Sequence, residues 1–296
     1  MTQSQRSPRP RYLLIGATGA VGRHVLERLT AHGEVVLALS RHAHAPAPKL
    51  AQWHRHDIYR DDPNTLPAAA VVIGAGPLDG LAIWAARAHW PAATRLVALS
   101  SLSAESKAES DDADERALAQ RLRDAEATLF AVGKARGWLV TLVRASLIYD
   151  PQFAHLSLDR LLALANRLRC LPLPRDATGL RQPVHADDLA QALLACVARD
   201  ATAGTLLRLA GGEAVPFADM VLRYLRAHGS TAPIVWLPVA AVRVLHALLP
   251  LLGRRGRSVA APLARSRQSL AIDNADWLRV GLVPCAFVGA KANGND

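Results

Sequence analysis

The sequence predicts an α/β protein built on a doubly wound parallel sheet, with a smaller α/β cap after it. Three observations carry that expectation. Short continuous apolar runs, the mark of strands buried on both faces, recur through the first half of the chain. Between them lie segments in which apolar residues return every third or fourth position, the mark of helices packed on a sheet. A glycine-rich turn, GATGAVG from Gly16 to Gly22, joins the first run to the first such segment.

Taken in order, residues 12–15, 35–39, 71–73, 96–99 and 139–143 read as buried strands. After the first of them Val21, Val25 and Leu29 line one helix face, while Arg23, Glu27 and Arg28 face away. A long helix should begin in the acidic cluster at 110–115, where carboxylates meet the positive end of the helix dipole, and run towards Gly137, a natural helix end. Strand, helix, strand repeated in this way gives right-handed crossovers and a parallel sheet. Beyond Asp150 the pattern loosens through 158–168 and a proline-spaced patch at 171–174, then a helix at 187–197, a strand at 205–209 and a helix at 217–227. The expected organisation is a loose polar tail at 1–10, a nucleotide-type domain at 11–150 and a cap at 151–296, with no internal repeat or low-complexity tract.

A chain of 296 residues can bury a large core. Its three cysteines, Cys170, Cys196 and Cys285, lie far apart, with no CxxC and no His/Cys cluster, so neither a disulfide framework nor a metal site is expected. The tail lacks the apolar core of a signal peptide, and the greasy stretch 237–252 holds Arg243 and His246 and is too short for a bilayer span; a cytoplasmic protein is expected. The formal charge of +10 comes mostly from arginines scattered along every segment. Without an aromatic-interleaved basic stripe that distribution argues against nucleic acid. One local exception, RRGR from Arg254 to Arg257, could seat the chain on anionic headgroups or in a complex, against the plainer reading of a basic loop.

The glycine turn stands between a strand and a helix, the setting a dinucleotide-binding Rossmann motif requires. Gly16 permits the turn, Gly19 lets backbone N–H groups approach a pyrophosphate, and Gly22 lets helix and strand pack closely. Ala17, Thr18, Ala20 and Val21 complete the loop. The second strand ends in Ser40 and Arg41, where an NAD-binding protein would carry Asp or Glu on the ribose 2′-hydroxyl. A carboxylate there would repel a 2′-phosphate and a guanidinium pairs with it, so NADP(H) is the preferred cofactor and NAD(H) the alternative. Asp57 follows the segment 53–56, placed either near an adenine or as a turn residue.

These residues resemble the short-chain dehydrogenase/reductase superfamily in its extended or atypical branch, over most of the chain. GATGAVG resembles that branch's cofactor loop, ALSS at 98–101 the end of its fifth strand, and LVRASLIYDP its arginine strand and tyrosine turn. RQPVHADDLAQALL resembles the helix start of the VHVDD type, and LAGGEAVPF with AIDNADWLRVGLVPCAF the end of its cap. Within the branch the chain is most similar to bacterial sugar-epimerase-like proteins and to the accessory NADPH-binding subunit of respiratory complex I. The resemblance implies a nucleotide domain onto which residues 183–200, opening at Asp187 and Asp188, pack back, and a small cap that holds any substrate.

It also exposes a departure. Redox members place a tyrosine and, four residues on, a lysine on one face of the long helix, where the ammonium lowers the phenol's pKa. Counted back from Glu126, those positions hold Leu118 and Leu122, and neither moves a proton. The four tyrosines, Tyr12, Tyr59, Tyr149 and Tyr224, all lie outside the helix, so no shift of alignment restores the pair. Arg121 and Arg123 point to other faces, and arginine is a poor acid. Ser100 and Ser101 end the fifth strand, but Leu102 holds the usual serine position, with Ser103 as a substitute. Tyr149 and His185 are the remaining proton-donor candidates, each weighed against a packing role. Two functions therefore stand side by side: an oxidoreductase acting on a carbonyl or quinone-like small molecule without the tyrosine–lysine pair, or a non-catalytic NADPH-binding protein for structure, sensing or assembly. A nucleotide-sugar epimerase or dehydratase is a third, opposed by the two leucines.

Overall fold

The computed structural model describes residues 11–42, 50–153, 156–238, 241 and 265–287. Its first part runs β1 (Tyr12–Ile15), α1 (Ala20–Ala31), β2 (Val36–Ser40), β3 (Ala51–Arg55), β4 (Val71–Gly74), α2 (Leu78–Arg87), β5 (Arg95–Ser101), α3 (Ser103–Ser106), α4 (Ala113–Arg136) and β6 (Leu139–Ala145). There follow β7 (Ile148–Tyr149), α5 (Leu156–Leu168), β8 (Leu171–Pro174), β9 (Leu180–Arg181), β10 (Val184–His185) and α6 (Ala186–Ala198). The last elements are β11 (Leu206–Leu209), β12 (Val215–Pro216), α7 (Phe217–Ala227), β13 (Ile234–Leu237) and α8 (Asp276–Val280).

Seven strands form one sheet in the order β11, β6, β5, β4, β1, β2, β3, and every neighbouring pair is parallel. The protein is therefore an α/β Rossmann fold. From β1 the chain winds outward through β2 and β3, then returns to place β4 on the other side of β1. That reversal opens a crevice at the carboxyl ends of β1 and β4, the place where such sheets take ligands.

The strands form because their residues are apolar on both faces. Tyr12 to Ile15 are all buried, as are Val71 to Gly74, and helices cover each side. One face carries Leu13, Leu37, Val72, Leu96 and Leu142 into a core with Trp84, Trp90, Leu129 and Trp138. Each such side chain contributes roughly 1.5–3 kcal/mol by leaving water. Long α4 shows both expected ends: the Asp112 carboxylate accepts from the N–H groups of Asp114 and Glu115, and Gly137 closes the helix at φ 68°.

Two elements differ from the sequence expectation. Strand β3, Ala-Gln-Trp-His-Arg, has no continuous apolar run; among the described residues it pairs with β2 alone, and Gln52, His54 and Arg55 stay exposed at the sheet edge. The proline-spaced patch at 171–174 is strand β8, paired in parallel with β13. Its prolines are tolerated because a two-stranded ladder leaves one side of each strand unpaired.

The chain divides into two units. The first takes the described residues up to Ser146 together with Ala186–Leu209 and Asn274–Val283. Within it α1 packs on α6, and a bidentate pair joins them: Arg28 donates through Nε to Asp187 Oδ1 at 2.7 Å and through a terminal nitrogen to Oδ2 at 2.5 Å. The second unit takes Leu147–His185, the described residues between Ala210 and Asp273, and those from Pro284 on. It holds three two-stranded ladders, β7 with β10, β8 with β13 and β9 with β12, around a core of Tyr149, Leu161, Leu171, Phe217, Val221 and Tyr224. Residues 254–257, the basic run, and most of the greasy stretch before it lie outside the described residues. Among the described residues no helix is long and apolar enough to cross a membrane.

The hydrogen bonds from Arg28 lower the Asp187 pKa below the ordinary carboxylate value. A depressed folded-state pKa stabilises above the unfolded value and loses that contribution as pH falls through the folded one. Both partners are partly exposed, so Asp187→Asn should cost about 0.5–1 kcal/mol in urea unfolding at neutral pH. The difference should hold above about 4, the unfolded carboxylate value, and close only as pH falls below that, through the lower folded-state value.

Candidate dinucleotide site

At the sheet's switch point the backbone itself sets the geometry. Gly16 sits at φ 81°, and a Cβ there would lie 2.6 Å from the Ala75 carbonyl carbon and the Gly76 nitrogen. A Cβ on Gly22 would lie 2.0 Å from the Gly16 carbonyl oxygen. Both glycines are demanded by protein packing. Gly19 differs: a Cβ would meet only the Gly16 and Ala75 oxygens, at 3.4 and 3.9 Å, so no protein atom requires it to be bare. Its N–H donates to the Gly16 oxygen at 3.0 Å, and it stands at the N-terminus of α1 with no side-chain cap and no acidic residue in the first turn. Unpaired N–H groups and the helix dipole together favour an anion there. Thr18 is exposed and Ala20 half-buried at this opening, whereas Ala17 and Val21 are buried in the packing.

The loop therefore fits a dinucleotide pyrophosphate. Arg41 is exposed just past the end of β2, and Ser40 Oγ accepts from the His42 N–H at 3.2 Å. Asp57 shapes a turn: its carboxylate accepts from the Tyr59 N–H at 3.0 Å, and its own N–H donates to the Asp61 carboxylate at 2.7 Å.

At the carboxyl ends of β5 and β6 lies an ionic cluster. Ser100 Oγ donates to Glu126, which is buried on α4, and Glu126 also accepts from Arg144 Nε at 2.8 Å and from a terminal nitrogen. The hydrogen bond to Glu126 raises the Arg144 pKa further, despite burial. Arg144 reaches Glu105 at 2.6 Å, and Glu105 reaches Arg208 at 2.9 Å. Removing one partner of such a buried pair typically costs about 3–5 kcal/mol. Ser101 Oγ accepts from the Ser103 N–H at 3.1 Å, Arg123 donates to the Ala104 carbonyl at 2.9 Å, and Lys107 pairs with Glu115 at 3.0 Å. Each of these groups ties the β5–α4 connection to its surroundings. Leu118 and Leu122 stand half-buried on the same helix, and Leu122 packs into the first unit's core.

Tyr149 and His185 belong to the second unit, where they are register partners across the β7–β10 ladder. Tyr149 is buried, with edge-to-face contacts to His185 at 5.1 Å and Phe287 at 4.8 Å. His185 is half-buried. Among the described residues no three His, Cys, Asp or Glu side chains are grouped to hold a metal. Sequence reasoning missed Glu105, Arg208, Lys107 and Tyr59; charged or phenolic residues in loops without periodicity carry no local signal of what they will meet.

No protein-family model and no curated protein matches the chain. Solved structures do. MoeE5, solved with UDP-glucose and NAD, is 20% identical over 77% of this chain and 85% of its own, with a TM-score of 0.59. UDP-glucuronic acid 4-epimerase from Bacillus cereus, solved with NAD, is 17% identical over 77% and 85%, with a TM-score of 0.60. Epimerase Mth375 from Methanothermobacter thermautotrophicus is 14% identical over 77% and 79%, at 0.62. The chain thus shares its Rossmann fold with these structures, at identities that carry the fold alone.

The two glycine classes separate by experiment. Gly22→Val should lower the melting temperature by several degrees, because backbone must move, at roughly 1–3 kcal/mol. Gly19→Val should melt near wild type yet lose dinucleotide affinity at least tenfold in a fluorescence titration, an order-of-magnitude expectation for blocking a pyrophosphate's approach.

Proposed function

We propose that the protein binds NADP(H) at the β1–α1 turn and does not epimerise or dehydrate a sugar nucleotide by the tyrosine–lysine route. One observation carries this reading: the helix positions that such chemistry uses hold Leu118 and Leu122, the second of them packed into the core. Around them the polar groups are engaged in structure, Ser100 and Arg144 on Glu126 and Ser101 on a backbone N–H. The proteins of similar fold are named as acting on or binding sugar nucleotides; at these identities their activity does not carry over.

Gly16, Gly19 and Gly22 hold the pyrophosphate against α1, and Arg41 takes the 2′-phosphate by charge-assisted hydrogen bonds. Bound NADP(H) supplies or accepts a hydride at its nicotinamide. The function these side chains support most directly is retention of the nucleotide for a structural, sensing or assembly role. A second reading, reduction of a carbonyl or quinone-like acceptor, is favoured by the pairing of Tyr149 with His185 across the β7–β10 ladder, which sets side by side a phenol and an imidazole, two groups with exchangeable protons.

Mass spectrometry of the nucleotide that co-purifies with the chain should find NADP(H) in near-stoichiometric amount. Arg41→Ala should weaken NADPH about tenfold or more while changing NADH less than about twofold, since a single charge-assisted phosphate contact is worth on the order of 1.5–3 kcal/mol. Equal losses for the two would overturn the NADP(H) assignment. Steady NADPH oxidation on a quinone and carbonyl panel, abolished by His185→Ala, would decide for the reductase.

A further inference from the structure

The sheet edge that carries the glycine turn continues outward beyond β2. Strand order sets β3 next to β2, and the two run parallel with Ser40 and Arg55 as register partners at their carboxyl ends. The pairing persists one residue further, because the His56 N–H donates to the Ser40 carbonyl at 2.9 Å. The Arg55 backbone therefore stands one strand spacing, about 4.8 Å, from that of Ser40, a distance that an arginine side chain spans with ease. Arg41 is the residue after Ser40, and both arginines are exposed.

Strand parity fixes the face on which Arg55 lies. Side chains alternate along a strand, and partners in register point the same way. Leu13, Ile15, Leu37 and Leu39 all enter one core with Leu81 and Trp84 of α2 and Leu129 of α4. Ser40, one step beyond Leu39, points to the opposite face, and Arg55 shares that direction as its partner. The helices pair in the same two layers, α2 on α4 and α1 on α6, and α1 is the helix that Gly19 opens. Read outward from β1, one face of the sheet edge thus carries the glycine turn, then Ser40 with Arg41, then Arg55.

A dinucleotide with its pyrophosphate on α1 brings its adenosine ribose to the end of β2. A phosphate monoester there carries about −1.5 to −2 charges at pH 7 and three acceptor oxygens. One guanidinium fork meets two of those oxygens and one charge, so a second cation from the neighbouring strand completes the match. Asp57, two residues past Arg55, has its carboxylate engaged in its own turn by the Tyr59 N–H at 3.0 Å.

We propose that Arg55 is the second arginine of the 2′-phosphate site and a determinant of cofactor choice, holding the phosphate from β3 as Arg41 holds it from β2. This rests on the NADP(H) reading above. Only ligands that carry the 2′-phosphate feel the loss of Arg55.

The test is a fluorescence titration of NADPH and NADH on each preparation, read as the ratio of the two affinities, which does not depend on how much of a variant has folded. Arg55→Ala should lower the preference for NADPH roughly threefold to tenfold, with NADH changed less than about twofold, the range for losing one exposed charge-assisted contact. The double variant with Arg41→Ala should bind the two nucleotides alike. Arg121→Ala, which removes an exposed arginine from α4, should leave the ratio at the wild-type value. If Arg55→Ala keeps the wild-type ratio, weakens both nucleotides equally, or does no more than Arg121→Ala, the proposal is overturned while the cofactor reading stands. If wild type shows no preference for NADPH, or Arg41→Ala weakens both nucleotides equally, the cofactor reading itself fails and takes the proposal with it.

Discussion

The first unit hangs on a backbone-to-backbone contact. At the switch point Gly16 lies so close to the chain leaving β4, and Gly22 so close to the turn after β1, that neither can bear a Cβ without moving main chain. No side chain mediates these approaches, so they set how the turn, α1 and the end of β4 pack together. Because the packing already accounts for two of the three glycines, the third is the informative one. Gly19 is bare where the protein has no need of it, which is the physical signature of a surface reserved for something else.

The far end of the same sheet has gone another way. Along one stripe of α4 stand Leu118, Leu122 and a glutamate locked to Ser100 and Arg144. Apolar side chains on that stripe raise stability by leaving water, whereas a lysine there would bear a desolvation penalty. Leu122 packs against the first unit's core. The ion pairs Arg144–Glu105 and Glu105–Arg208 then brace the connection between β5 and α4 rather than leaving it open.

Much of this was legible beforehand, and the reasons are specific. The strands of the sheet interior announce themselves because they are apolar on both faces, and α4 because Asp112 and Gly137 mark its ends in the local sequence. The glycine turn was readable since steric exclusion by a Cβ acts within a few residues. Strand β3 was not, since an edge strand keeps half its residues in water and so loses the apolar run that identifies its neighbours. Likewise Glu105 finds Arg144 and Arg208 across 39 residues and more of intervening chain, and Tyr59 finds Asp79 from another element. Pairings of that range depend on the completed fold, and a sequence carries no periodic trace of them.

The first unit is assembled from three separated stretches of chain, the last of them Asn274–Val283. Strand β11 closes one edge of the sheet, and the Asp276 carboxylate accepts from its Arg208 N–H at 2.8 Å. A ribosome-bound chain that has made everything up to Ala145 thus holds six strands of a seven-stranded sheet, with β6 still offering an unsatisfied edge. At roughly 5–20 residues per second, several seconds pass before the missing strand is made, and longer before its anchor emerges. During synthesis that open edge is available to strands of other chains until β11 takes its place.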